Sequence, residues 1–360
     1  MKILFLDLIY WNYSIDDQNT NFILGDNLTL SDPRYPSMGI GKPLAEALLS
    51  IGLEPIHLYV NAPFLYNSDK KNSVNPNWFL RSEKLTKAVL FSQGVKLALE
   101  QMKIHKPEVV WIFCPRHLPP IILNKFKRYT KLLVGHLSST EPRNDWLNNY
   151  DLLLTSHPGF VLDWREKYNK QVELFKPAFQ EKYASKTSLV DRKHKLIFAG
   201  KLSSDHEKRI SVLQDIVEGF DIEVYADVNS RTPLNSSLKK IIKPPKWGEE
   251  YFKLLGDSSI ILNIHGEIAG NYSANMRLVE ASGAGGLLVT EKSPNLHEYF
   301  DSVPIPTYEN SADLLVLLDK LTKNLNQYQE IATLSQQIVL KDHSYKVRAK
   351  EVIKMLSKIL

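Results

Sequence analysis

The chain has 360 residues, of which 43% are hydrophobic and 24% charged, with a formal net charge of +5. That length suits two domains of ordinary size, and the balance is that of a water-soluble globular protein. A single cysteine, Cys114, excludes an internal disulfide and points to a reducing cytoplasm, and no window reaches the ~20 continuous apolar residues of a membrane span. The mild basic balance fits anionic ligands or the acidic inner face of a membrane, with a solvated lysine-rich surface as the plain alternative. It does not call for nucleic acid.

The first apolar run is interrupted by Asp7 and lacks a small-residue cleavage site, so residues 3–8 read as a buried strand rather than a signal peptide. A glycine-containing turn at 37–43 leads into a helix at 44–51. A strand at 55–60, a polar loop at 61–77, a helix at 83–102 and a strand at 109–113 follow. Next come a helix at 119–128 and strands at 131–134 and 152–155. The polar segment 181–195 reads as a linker, and the pattern then restarts. It runs strand 196–199, helix 205–217, strand 222–226, helix 247–255, strand 260–264, helix 274–282 and strand 286–290. Strands spaced by helices imply βαβ units and parallel sheets. The expected fold class is therefore α/β, with two doubly wound parallel-sheet domains. Their expected bounds are 1–185 and 186–342, followed by a helix at 343–360.

The most informative stretch is 261–286, which reads strand, glycine-bearing loop, helix and glycine turn. In open α/β sheets, ligands bind beyond the carboxyl ends of the strands. Arg277 lies one helical turn before Glu280, so the two share a face. An arginine there can clamp a diphosphate, and a carboxylate can accept from ribose hydroxyls. The alternative is an ordinary surface ion pair, and for His265 a structural histidine at a strand end.

The order Leu262, Asn263, His265, then Asn275, Arg277, Glu280, Ala281, resembles the glycosyltransferase family typified by the spore-maturation protein CgeB. That family is a branch of the group 1 transferases with the GT-B fold. The strand 287–290, the turn 296–300 and the tail residues His343, Tyr345, Arg348 and Ala349 extend the resemblance. It implies two facing Rossmann-like domains, a final helix packing on the N-terminal one, and a donor site in the C-terminal half. Asn263, Asn275, Arg277 and Glu280 would then bind the donor. The broader retaining pattern places another glutamate eight residues before Glu280, where this chain has Tyr272, so the retaining mechanism does not carry over. Gly200, Lys201 and Arg209 are similar to the segment that faces the donor diphosphate in many GT-B transferases. Lys208 is a rival for Arg209, and a helix start capped by Asp205 is the plain alternative.

In the N-terminal half, Gly39 and Gly41 lack the third glycine of a dinucleotide fingerprint. They nonetheless sit where GT-B enzymes bring the backbone close to donor or acceptor. His136 ends a strand and could act as base, as could His265. Arg116 and His117 also follow a strand, and Asp16, Asp17, Asp26 and Glu141 are unranked base candidates. No Asp-x-Asp triplet, zinc-spaced cluster or P-loop occurs. The expected function is metal-independent transfer of a sugar, with a UDP-sugar in view, from a nucleoside-diphosphate sugar. The acceptor would be a polysaccharide, glycolipid or protein, and no cofactor is expected. The place would be the cytoplasm, or peripherally the inner membrane face. The alternatives are a catalytically silent sugar-nucleotide-binding or surface-assembly protein and a nucleotide-sugar epimerase.

Overall fold

The computed structural model describes residues 1–8, 39–61, 83–113, 115–139, 141, 145–204, 206–228 and 232–360. Asp16, Asp17, Asp26, Cys114 and Asp205 lie outside these residues, as does most of the expected loop at 61–77. The chain divides into two compact units. The first comprises Met1–Thr155, Val161–Leu174 and Ala349–Leu360, and the second Ser156–Phe160 and Phe175–Arg348.

The first unit is built on six parallel strands in the order β2-β1-β3-β4-β5-β6. They are β1 (Ile3–Asp7), β2 (Ile56–Tyr59), β3 (Val109–Ile112), β4 (Leu132–His136), β5 (Leu152–Thr155) and β6 (Gln171–Leu174). Every residue of β1, β3, β4 and β5 is buried. That is why these segments read as unbroken apolar runs rather than alternating ones: both faces of a parallel sheet are covered. The helices are α1 (Gly41–Ser50), α2 (Glu83–His105), α3 (Pro120–Phe126) and α4 (Pro158–Tyr168). The last of these, with β6, had no clear periodic signal.

The second unit repeats the plan with β7 (His194–Leu202), β8 (Glu223–Val228), β9 (Ile242–Lys243), β10 (Ser258–Asn263), β11 (Leu287–Glu291) and β12 (Thr307–Tyr308). Their order is β12-β11-β10-β7-β8-β9, again all parallel. Its helices are α5 (Glu207–Ile216), α6 (Ser236–Ile241), α7 (Gly248–Gly256), α8 (Arg277–Gly283), α9 (His297–Phe300), α10 (Ser311–Lys323) and α11 (Gln329–Asp342). Two glycines around α8 are required by close packing. A Cβ at Gly283 would sit 2.4 Å from the Phe179 ring, and one at Gly286 would sit 2.4 Å from Ile261. Asn310 caps α10 by accepting from the Asp313 amide at 3.0 Å.

The segment 181–195, read as a linker from its polar composition, is packed into the second unit. Leu189 is fully buried. Arg192 is buried too, and donates to the carbonyls of Thr187, Leu255, Ser258 and Ala284. Composition misled because a buried arginine that satisfies several carbonyls looks, in sequence, like a solvated one. The final helix α12 (Tyr345–Leu356) starts in the second unit, while Ala349–Leu360 group with the first. Its start is fixed by a parallel bridge between Phe179 and Ser344 and by Arg348, which donates to the Lys176 and Asp342 carbonyls and to His343 Nδ1.

Candidate donor site

In the second unit the chain leaves β7, steps outward to β8 and β9, then returns to lay β10 on the other side of β7. The carboxyl ends of β7 and β10 therefore flank a topological switch point, the usual place for a ligand in such a sheet. Gly200 and Lys201 close β7 there, and Asn263 ends β10. Most of the donor-site residues expected from sequence converge on this edge.

Arg209, on the first turn of α5, reaches across the gap. It donates to the Lys201 carbonyl at 2.8 Å and to the Ile264 carbonyl at 3.1 Å, tying the two strand ends together. Its guanidinium carbon lies 5.8 Å from the centre of the Phe198 ring. Its buried Nε meets no acceptor among the described residues. Burial lowers its pKa to about 10, and Arg277 nearby acts in the same direction. Arg277, the first residue of α8, donates to the Ala199 carbonyl and to the Tyr251 hydroxyl. Two guanidinium groups thus face one strand edge, with Lys201 exposed beside them. Lys208, the rival for Arg209, is committed elsewhere: its amine pairs with Glu291 at 2.5 Å.

Glu280 does not pair directly with Arg277 as an i,i+3 neighbour. Tyr251, on α7, stands between them and donates its hydroxyl to Glu280 Oε2 at 2.6 Å. Burial raises the Glu280 pKa, while Arg277 and the Tyr251 hydroxyl oppose the rise.

Asn263 and Asn275 exchange side-chain hydrogen bonds, Asn275 donating at 2.6 Å and Asn263 at 3.2 Å. Asn263 also donates to Thr290 Oγ1 at 2.9 Å. This amide pair joins the end of β10 to the residue two before Arg277, and so sets where α8 begins. His265 is buried in a closed network. Its amide donates to Glu291 Oε2 at 2.6 Å, and its Nε2 lies 3.3 Å from Ser273 Oγ and 3.2 Å from Thr290 Oγ1. Burial brings its pKa down to about 4, against the pull of Glu291. Ser273 is in turn held by Asn295, which accepts from its amide and donates to its carbonyl, each at 2.8 Å.

The first unit has its own switch point between β1 and β3, with different chemistry. Gly39 adopts φ +67°, and a Cβ on Gly41 would lie 2.5 Å from Asp7 Oδ2 and 2.9 Å from His57 Nε2. The glycine lets α1 begin directly against the buried Asp7–His57 pair, whose atoms are 3.5 Å apart. His136, at the end of β4, is buried against Phe113 and Trp111, with ring centres 5.2 and 6.1 Å away. Its Nε2 is 3.3 Å from Ser138 Oγ, and burial lowers its pKa to about 3. Arg116 and His117 form a short 3-10 turn after β3, where Arg116 donates to Ser139 Oγ at 3.3 Å. Glu141 pairs with Lys167 at 2.9 Å.

Sequence reasoning missed Tyr251, Ser273, Thr290, Glu291, Asp7 and His57. Glu291 carried a usable signal, a carboxylate ending a strand whose first three residues are apolar. Tyr251 carried none, because nothing in an amphipathic helix says which tyrosine meets an arginine from another element.

Residues 211–354, most of the second unit, match the family model described as glycosyl transferase-like. No curated protein matches the chain. Among solved structures it is similar to a glycosyltransferase from Rickettsia africae ESF-5, with 14% identity over 99% of this chain and 98% of that one, at a TM-score of 0.61. A sucrose-phosphate synthase from Thermosynechococcus elongatus aligns with 9% identity over 99% and 98%, at 0.60. Anabaena HepE in complex with UDP and glucose aligns with 14% identity over 99% and 100%, at 0.57. At such identities the likeness speaks for the fold, and the fold is that of the GT-B glycosyltransferases. Among the described residues, no helix is long and apolar enough to cross a membrane.

Proposed function

We propose that the chain is a glycosyltransferase of the CgeB-like branch, moving a sugar from a nucleoside-diphosphate sugar to a polysaccharide, glycolipid or protein acceptor. The observation that carries this reading is the pairing of Arg209 and Arg277 at the β7–β10 switch point. Two partly buried guanidinium groups converge on one strand edge, and a diphosphate matches their fork geometry. On this reading Lys201, Arg209 and Arg277 stabilise the negative charge that develops on the leaving diphosphate, without a metal ion. Glu280 accepts from the ribose hydroxyls. Asn263 and Asn275 hold the start of α8, and Gly39 and Gly41 let the backbone of the first unit come close to a substrate.

His136 and His265 are the two candidates for the base, each at or just past a strand end. Burial makes both imidazoles weak proton acceptors, since a general base works best with a pKa near the working pH. His265 is already engaged by Ser273, Thr290 and Glu291, which suits a residue that shapes the donor pocket. HepE was solved with UDP and glucose, so UDP-sugars are the first donors to try. The proposed place of action is the cytoplasm or the inner membrane face.

A thermal-shift series with UDP-, GDP-, dTDP- and ADP-sugars tests the proposal, because a ligand that binds only the folded state raises its stability by about 2.7 kcal/mol at a hundred times its Kd. The expected result is one stabilising donor, slow release of its nucleoside diphosphate in the absence of acceptor, and turnover unaffected by EDTA. Stabilisation without any turnover would instead identify a silent sugar-nucleotide-binding module, and no stabilisation by any donor would sink both readings.

A further inference from the structure

We infer that Tyr251 is a positioning residue of the donor site, one that holds Arg277 and Glu280 apart and aims each at a different part of the nucleotide. The inference rests on the donor-site reading above. Its basis is a directional relay. Arg277 has only donors to offer and gives one to the Tyr251 oxygen. The tyrosine has a single hydroxyl proton, and it goes to Glu280 Oε2 at 2.6 Å. That second bond needs an acceptor, so the relay favours the carboxylate form of Glu280, opposing the burial that would otherwise protonate it.

The tyrosine is itself firmly held. The Arg277 guanidinium carbon lies 4.9 Å from the centre of its ring. The neighbouring Phe252 ring packs edge-on against Tyr251 at 5.2 Å and stacks on Tyr183 at 4.2 Å with an interplanar angle of 7°. A rigid aromatic thus fixes two charged side chains that would otherwise meet. Arg277 and Glu280 are three residues apart on one helix, and without a spacer an ion pair is their default. Such a pair would turn the guanidinium away from a diphosphate and occupy the carboxylate needed by a ribose. With the spacer present, Oε2 is taken by the tyrosine and Oε1 is left for the sugar hydroxyls.

The experiment uses the full-length chain and calorimetric titration. UDP, GDP, dTDP and ADP are titrated, and the tightest ribonucleotide is compared with its 2′-deoxy form. Wild type should prefer the ribonucleotide by roughly tenfold or more, as expected for a hydrogen bond to a charged group. Tyr251→Phe keeps the ring and removes the relay. It should weaken the ribonucleotide by roughly tenfold and bring the ribo-to-deoxy ratio close to one, whereas a residue needed only for packing would leave that ratio unchanged. If wild type discriminates and Tyr251→Phe discriminates equally, the inference is overturned while the donor-site reading stands. If wild type binds no nucleotide or ignores the 2′-hydroxyl, the reading of Glu280 fails and takes the inference with it. Should Tyr251→Phe fail to fold, Arg277→Lys is read in the intact chain. A relay through the tyrosine lowers the ribo-to-deoxy ratio as well as the affinity, whereas a loss of affinity with an unchanged ratio overturns it.

Discussion

Both sheets are six parallel strands with a switch point beside their first strand, in the orders β2-β1-β3-β4-β5-β6 and β9-β8-β7-β10-β11-β12, yet their carboxyl edges differ chemically. In the second unit the switch point between β7 and β10 gathers Arg209, Arg277 and Lys201, with Glu280 and Glu291 close by. In the first, the corresponding edge holds the buried Asp7–His57 pair under Gly41, and a neutral His136 packed on Phe113 and Trp111. The same backbone plan thus supplies a place for a ligand twice, and the side chains decide what can occupy it. A cationic edge suits a diphosphate. A close-packed edge with a buried, neutral imidazole offers no such attraction to an anion.

The sharpest way to break this contrast is to remove the cations. Arg209→Ala and Arg277→Ala should each lower kcat/KM with a nucleoside-diphosphate sugar by about 10²-fold, the scale for losing a preorganised donor at developing charge. The double variant should lose less than the product of the two, because both act on one ligand. Steady-state kinetics beside denaturant melts would decide it. Losses that merely track stability would return both residues to a structural role.

A smaller effect tests the first unit. Gly41→Ala places a methyl group 2.5 Å from Asp7 Oδ2, so it should destabilise the fold by about 1–3 kcal/mol, as overpacking does. Nucleoside diphosphate affinity should be retained in the variant that remains folded. A neutral result in the melt would mean that the Asp7–His57 contact yields at little cost.

A third effect is in pH. Burial lowers the pKa of His136 to about 3 and those of His265 and His343 to about 4. An unfolded histidine titrates near ~6.5. Between these values the unfolded chain binds more protons than the folded one, so stability is complete above pH ~6.5 and falls as the pH drops toward 4. The limiting slope is about 1.4 kcal/mol per pH unit for each such histidine. Melts from pH 7.5 to 4.5 should show it, and His136→Gln should reduce the slope by one group. An unchanged slope would show that His136 is already protonated, or exposed, in the folded protein.

Much of this was legible in the chain itself. Parallel strands buried on both faces must be apolar throughout, so residues 3–8, 109–113, 152–155 and 260–264 announced themselves, and their alternation with helices implied two doubly wound sheets. Arg277 and Glu280 could be placed on one helix face because the 3.6-residue period is local. What the tertiary structure alone decided is which groups meet across elements. The reach of Arg209 from β7 to β10, the tyrosine between Arg277 and Glu280, and the closed network around His265 each join residues from different elements, and no local period encodes such distances. The buried Arg192 in an apparent linker makes the same point. A side chain's charge is written in the sequence, but whether water or a carbonyl will satisfy it is settled only when the chain has folded around it.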